Sequence, residues 1–371
     1  MASTINPVRT PMIEARQPPN QSRGLVGWLR ANLFSSPVNS IVSVVTIVLL
    51  VRLIWPFLEW SLFDADWLGT TREDCSGDGA CWVFISARFE SIVYGFYPDV
   101  ARWRVDIVFA LMALLIAWLA IPRLPVKRWV GLFTLVGFPV IAYFLLLGGS
   151  FGLLYVPTRE WGGLMLTLTI ATVGIVGSLP LGVLLALGRR SKMPLIKGVS
   201  VIFIEFWRGV PLITVLFMAS VMLPLFVPSE IEFDKLLRAL IGIMFFWSAY
   251  MAEVVRGGLQ AIDKGQNEAG QALGLGYWRR MALIILPQAL KLVIPGIVNT
   301  FIALFKDTSL VLIIGLFDLL AIIRAGLTDT NWLGFAMEGY VFAALVFWIF
   351  CFGMSRYSIF MERRLDTGHK R

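Results

Sequence analysis

Residues Leu164–Leu187 read LMLTLTIATVGIVGSLPLGVLLAL, twenty-four positions without one ionisable side chain. A bilayer core is crossed by roughly 20 apolar residues in helical form, so this stretch suffices as a membrane span. Outward from it in both directions lie seven more runs of the same kind: Val38–Leu58, Val105–Ile121, Trp129–Gly149, Val199–Val227, Leu237–Val255, Val293–Phe317 and Phe335–Met354. None keeps the strict period of two that a membrane β-strand needs. The spans are therefore helices, which satisfy their backbone N–H and C=O groups within each segment. The expected fold is all-α, a polytopic membrane helical bundle of about eight spans.

The whole chain agrees with its parts. Of 371 residues, 58% are hydrophobic and 15% charged, and the mean hydropathy is +0.78. Soluble domains carry about 25% charged residues. Lys and Arg fix the orientation, because they gather on the cytoplasmic side. With the N-terminus inside, 21 of the 32 basic residues fall in inside segments and eight in outside ones. Both termini are expected in the cytoplasm and the chain in a bacterial inner membrane. The net charge of +8 then follows from topology and requires no nucleic-acid partner.

Thirty-odd polar residues precede the first run, so the sequence reads as a cytoplasmic tail over 1–37 and not as a signal peptide. Residues 38–160 form a three-span extension with an acidic outer loop over 59–104. Cys75 and Cys81 lie in that loop, with five residues between them. In an oxidising compartment they could bond, or they could remain two free thiols; spacing alone leaves both open. Residues 161–364 form a five-span core holding a cytoplasmic loop over 256–291, and 365–371 form a short tail.

That loop carries the most specific pattern in the chain. Glu268–Pro287 reads EAGQALGLGYWRRMALIILP. A short helix is expected over Asn267–Leu273, with Glu268 in its first turn, where a carboxylate suits the helix dipole. Ala269, Ala272 and Leu273 fall on one small apolar face. Gly274 and Gly276 would stop this helix, and a second, Tyr277–Ile285, would end at Pro287. Such a pair either packs on its own bundle or docks as a knob in a partner's groove.

Glu268, Ala269, Gly274, Ile284, Leu286 and Pro287 match the loop signature of ATP-binding-cassette importer permeases, with Gly270 in place of the usual second alanine. Phe206–Leu212 (FWRGVPL), Ala249–Gly258 (AYMAEVVRGG), Leu286–Ala289 (LPQA) and Lys306–Leu310 (KDTSL) resemble the polar amino-acid branch, the relatives of histidine and glutamine permeases. The resemblance covers about Gly162 to Arg364, and the extra N-terminal spans look like those of the M-type subunit of general L-amino-acid permeases. It implies a role for the loop as a coupling helix seated in a cytoplasmic ATPase dimer. Glu268 would be the polar anchor, Ala269 and Gly270 the close-approach surface with Ala272 and Leu273 beside them, and Gly274 the turn. It also implies a periplasmic amino-acid-binding protein, an amino-acid substrate and a homologous permease subunit, a heterodimer being favoured. ATP and Mg would be bound by the partner ATPase, since this chain contains no Gly-Lys dipeptide and hence no phosphate-cradling Walker loop.

Charges inside the spans are the second group of candidates, because ionisable groups at membrane depth need partners or a wet cavity. Lys306 and Asp307 sit within the seventh run, with Thr308 beside them and Ser309 on the Lys306 face. Glu205 and Arg208 in the fifth run, and Glu253 and Arg256 in the sixth, are each three apart and able to pair along one helix face. These residues either tie helices together or line a translocation path. No metal set or catalytic cluster is expected: the only histidine, His369, lies in the tail. Two alternatives share these features, an ATP-independent secondary transporter and a structural permease subunit that never touches substrate.

Overall fold

The computed structural model describes residues 24–121, 123–226 and 233–365. Most of the expected N-terminal tail, the end of the Val199–Val227 run and the final tail with His369 lie outside the described residues. The described residues are helical throughout apart from loops and two isolated backbone bridges. The chain separates into two compact units, residues 1–66 with 76–80 and residues 67–75 with 81–371.

In the first unit, α1 (Gly24–Asn32) precedes α2 (Pro37–Leu58). Ser36 caps α2 by accepting from the Asn39 amide at 3.2 Å, and Pro37 sits at its first position, where no N–H is missed. Helix α2 continues through a wide turn at Glu59–Phe63 just beyond Pro56. There the Asp64 amide donates to the Glu59 carbonyl five residues back at 3.0 Å, the hydrogen bond of a π-turn. No residue of α2 is buried.

The second unit contains α3 (Val83–Tyr94), α4 (Arg102–Ala120), α5 (Lys127–Leu147), α6 (Gly163–Arg189), α7 (Pro194–Gly209) and α8 (Leu212–Phe226). After these come α9 (Lys235–Ala261), α10 (Lys264–Ala272), α11 (277–292), α12 (Ile294–Asp307), α13 (Leu319–Gly326) and α14 (Ala336–Leu365). Among the described residues seven helices are long and apolar enough to cross a membrane, or eight if the bent pair α7 and α8 makes one crossing. The fifth run is therefore not one straight helix: its halves meet at 102°. Pro211 pushes Val210 into extended conformation (φ −108°, ψ 132°) and removes a backbone donor, so the helix cannot continue.

Packing centres on α6 and α9. Gly174, Ser178, Gly182 and Ala186 recur every fourth residue on α6, and all four are buried. Small side chains at this spacing let two helix backbones approach closely, the main source of association where lipid removes the hydrophobic drive. A Cβ placed on Gly182 would lie 2.7 Å from the Met251 Cβ of α9 and 3.1 Å from the Ala252 amide nitrogen.

At the end of the unit where α6 begins, the expected loop over 59–104 proves to hold a packed helix. Val83, Phe84, Ile85 and Ile92 of α3 are buried with Leu319, Ile322 and Ile323 of α13 and with Trp332. Their apolar spacing supplies a face too short to read as a span. Cys75 and Cys81 are joined in a disulfide, Cα atoms 5.7 Å apart, and the Cys81 amide donates to Glu338 Oε1 of α14 at 3.1 Å. Arg88 pairs with Asp329.

Asp318 is wholly buried at the same end. It caps α13, accepting from the Ala321 amide at 3.0 Å and the Leu320 amide at 3.3 Å. Burial outweighs these two donors and pushes its carboxyl up to about 6. The folded protein then holds a proton that the unfolded chain has released, so stability falls as pH rises between about 4 and 6. Asp318→Asn keeps a capping oxygen and removes the titration, and thermal melts across that window should lose part of their slope. Gly182→Leu should lower the melting midpoint of the purified protein, by an overpacking cost of about 1–3 kcal/mol, whereas Gly182→Ala costs less.

Candidate functional site

Two sites stand at the end of the second unit where α6 finishes. The first is the α10–α11 pair. Asp263 begins α10 by accepting from the Gly265 amide at 2.7 Å, so the helix starts at Lys264. Glu268 consequently sits in the second turn and not the first, because the cap acts three residues earlier than the sequence pattern suggests. After Ala272 the chain closes with Leu273 N–H to Ala269 O and Gly274 N–H to Gln271 O. Gly274 has φ +71° with nothing within 4 Å of a would-be Cβ. Conformation, not space, demands glycine there. Gly276 has φ −61° and needs no such freedom.

Glu268, Ala269, Ala272 and Leu273 are all exposed, Leu273 by 76%. Gly270 departs from the expected surface: it is buried against α11, where a Cβ would meet Arg280 Cδ at 2.8 Å and Ile284 Cδ1 at 3.5 Å. Its small size serves the fold of the loop itself. Arg280 Nη1 donates to the Leu275 carbonyl of the turn at 3.0 Å, and Gln288 Nε2 donates to Gln266 Oε1 at 3.3 Å, tying the second helix to the turn and to α10. Pro287 does not end the second helix. A π-turn over Met281–Ile285 admits the proline, and the helix runs on to Leu292.

The second site is a charged cluster. Glu205 does not pair with Arg208 along α7. Arg189, in the last turn of α6, stands between the helices and donates through Nη1 to Glu205 Oε1 at 2.8 Å and to Glu253 Oε1 at 2.9 Å. Glu253 Oε2 accepts from Arg256 at 2.9 and 2.7 Å, the i,i+3 pairing expected along α9. Arg208 instead lies over the Tyr250 ring, 5.7 Å from its centroid. The sequence marked Arg189 only as a basic residue at a helix end; its shared role depends on where α7 and α9 come to rest.

Lys306, Asp307, Thr308 and Ser309 are not part of this cluster. Helix α12 ends at Asp307, and Thr308–Ile314 winds as a 3₁₀ segment up to Gly315. Thr308 is buried and donates to the Phe305 carbonyl at 2.8 Å, and Ser309 donates to the Lys306 carbonyl at 3.0 Å. Lys306 is exposed, and neither it nor Asp307 makes an ion pair with another described residue. Among the described residues no group of His, Cys, Asp or Glu side chains could hold a metal ion.

Magnitudes separate the cluster members. Glu205 is 54% exposed and Glu253 only 16%. An exposed pair contributes about 0–1 kcal/mol, whereas unpairing a buried charge costs about 3–5 kcal/mol. Glu253→Gln and Arg189→Ala should therefore lower the melting midpoint well beyond Glu205→Gln. Equal losses from all three in parallel melts would show that the cluster is solvated.

Residues 178–367 match the family described as binding-protein-dependent transport system inner membrane component. The inner membrane amino-acid ABC transporter permease protein YhdY of Escherichia coli (strain K12) is 57% identical over 350 residues, covering 94% of this chain and 95% of that protein. The glutamate/glutamine/aspartate/asparagine transport system permease protein BztC of Rhodobacter capsulatus is 39% identical, covering 98% and 99%. A crystal structure of an amino acid ABC transporter with histidines overlays 54% of this chain and 92% of its own, at 30% identity and a TM-score of 0.48.

Proposed function

As this chain belongs to the family of binding-protein-dependent transport system inner membrane components, we propose that its α10–α11 knob couples it to a separate ATPase. The chain is the membrane-spanning permease subunit of an amino-acid ABC importer. In this reading ATP and Mg are bound by a cytoplasmic ATPase dimer, and closure of that dimer tilts the permease helices through the knob. A periplasmic binding protein delivers the amino acid at the opposite face, where α3 and α13 lie. A homologous permease chain completes the translocation path, and both termini face the cytoplasm.

The observation that carries this reading is the exposed apolar face of Ala269, Ala272 and Leu273 on a knob whose second helix buries Ile285 and Ala289 against α9. An apolar face left in water at the tip of a rigid element is a docking surface by economy of burial. Glu268 beside it supplies one charge to orient the joint. The Arg189–Glu205–Glu253 cluster joins the core helices α6, α7 and α9, the last of which leads into the knob. It is suited to hold α6, α7 and α9 together while force passes through them.

Gly274→Val forces a β-branched residue to φ +71°, at a cost of about 1–3 kcal/mol, and should splay the turn. Vesicles carrying this variant, the ATPase and the binding protein should show ATP-dependent uptake reduced by about tenfold, a loss that 1.4 kcal/mol of coupling energy explains. Insertion should be unchanged. Ala269→Cys should cross-link to the ATPase subunit. Uptake without ATP, or no cross-link from position 269, would overturn the reading.

A further inference from the structure

A cavity of about 550 Å³ lies inside the second unit, walled by α4, α5, α6 and the first turns of α9. This is within the roughly 300–1,000 Å³ range of small-molecule sites. Its wall is apolar over most of its surface, and Val105, Phe138, Leu146 and Met165 are buried parts of it. The half-exposed Tyr143 and Tyr155 stand at the end beside the 148–162 connection. Thr158 and Asp234 are there too, hydrogen-bonded to each other. Trp161 adds a buried indole N–H that no described group accepts.

Depth identifies the occupant. On α6 the lining runs from Met165 to Val173, on α4 from Val105 to Met112, and on α5 from Phe138 to Leu147. At 1.5 Å per residue each of these is about 10–14 Å of helix. One leaflet of the hydrocarbon core is about 15 Å, half of the whole. All four helices contribute the ends near the 148–162 connection, so the cavity is about as deep as one leaflet. It is long, apolar and polar only at one end. A zwitterionic amino acid would leave its two charges against apolar walls, which lipid tails do not.

We propose that this cavity holds one acyl chain of a glycerophospholipid from the leaflet on the 148–162 side, inserted between the N-terminal helices α4 and α5 and the core helices α6 and α9. The tail fills the apolar wall. The headgroup rests at Tyr143, Tyr155 and Thr158, and the glycerol ester region lies level with Trp161, whose N–H lacks an acceptor. The lipid is then a structural component that joins the N-terminal helices to the core, and the site is independent of the knob and the charged cluster.

The test uses the full chain in phosphatidylethanolamine and phosphatidylglycerol vesicles doped with ester phospholipids bearing a diazirine either near the ester end or near the methyl end of one acyl chain. After illumination, label should be found at Met165 and Thr172. Ala142→Trp, or Met112→Trp from the opposite wall, should lower that label by about tenfold, since a steric penalty of about 1.4 kcal/mol suffices. Label on the exposed helix α2 should not change. Absence of label at Met165 and Thr172 in the unmodified chain would overturn the proposal. So would label that persists in both tryptophan variants, or a cavity that reacts only with water-soluble carbene reagents.

Discussion

The close approach of α6 to α9 is the contact on which the rest of the second unit depends. Lipid tails solvate leucine as well as another helix does, so these helices gain little from hiding apolar surface. They gain instead from dispersion at short range, which the row Gly174, Ser178, Gly182 and Ala186 makes available. Because α6 and α9 lie this close, Arg189 at the end of one reaches Glu253 of the other at 2.9 Å. The same approach leaves α7 to bring Glu205 to the remaining face of that guanidinium, 2.8 Å away.

Polarity is placed sparingly and near helix ends. The charged cluster stands where α6 finishes, the knob follows directly from α9, and Asp318 is held at the opposite end by two backbone amides. Each solves a local accounting problem: a charge or a carbonyl away from water must find a partner. Arg208 resolves the same problem with the Tyr250 ring in place of a carboxylate. The knob is the exception that gives the chain its coupling surface, since Ala269, Ala272 and Leu273 are apolar and face outward.

The N-terminal helices are more than an appended block. Helix α3 buries Val83, Phe84, Ile85 and Ile92 against α13 and Trp332, and the Cys81 amide reaches Glu338 on α14. Helices α4 and α5 meet the core around an apolar cavity. The N-terminal part thus touches the core both at one end of the helices and along their length, two separate constraints on how far the core helices can move.

By itself the sequence determined the membrane spans, because twenty apolar residues in a row have no other stable home. It also determined the family, because the spacing of Glu268, Ala269, Gly274, Ile284, Leu286 and Pro287 is local and survives without coordinates. The need for glycine at 274 was legible for the same reason, as a helix terminator. Tertiary structure decided which charges meet across helices, whereas the Glu253–Arg256 pair within α9 follows from spacing. Glu205 and Arg208 are three apart and could pair, yet Glu205 accepts from Arg189 of another helix and Arg208 lies over Tyr250. It decided that Gly270 faces Arg280 and not outward, and that Pro287 passes through a π-turn where a proline normally ends a helix. It also revealed α3, whose four buried residues form a face only when α13 is beside them. Periodicity and composition act within a segment. A shared guanidinium, a buried glycine and a short helix on a distant partner are set by contacts between segments, which no local pattern encodes.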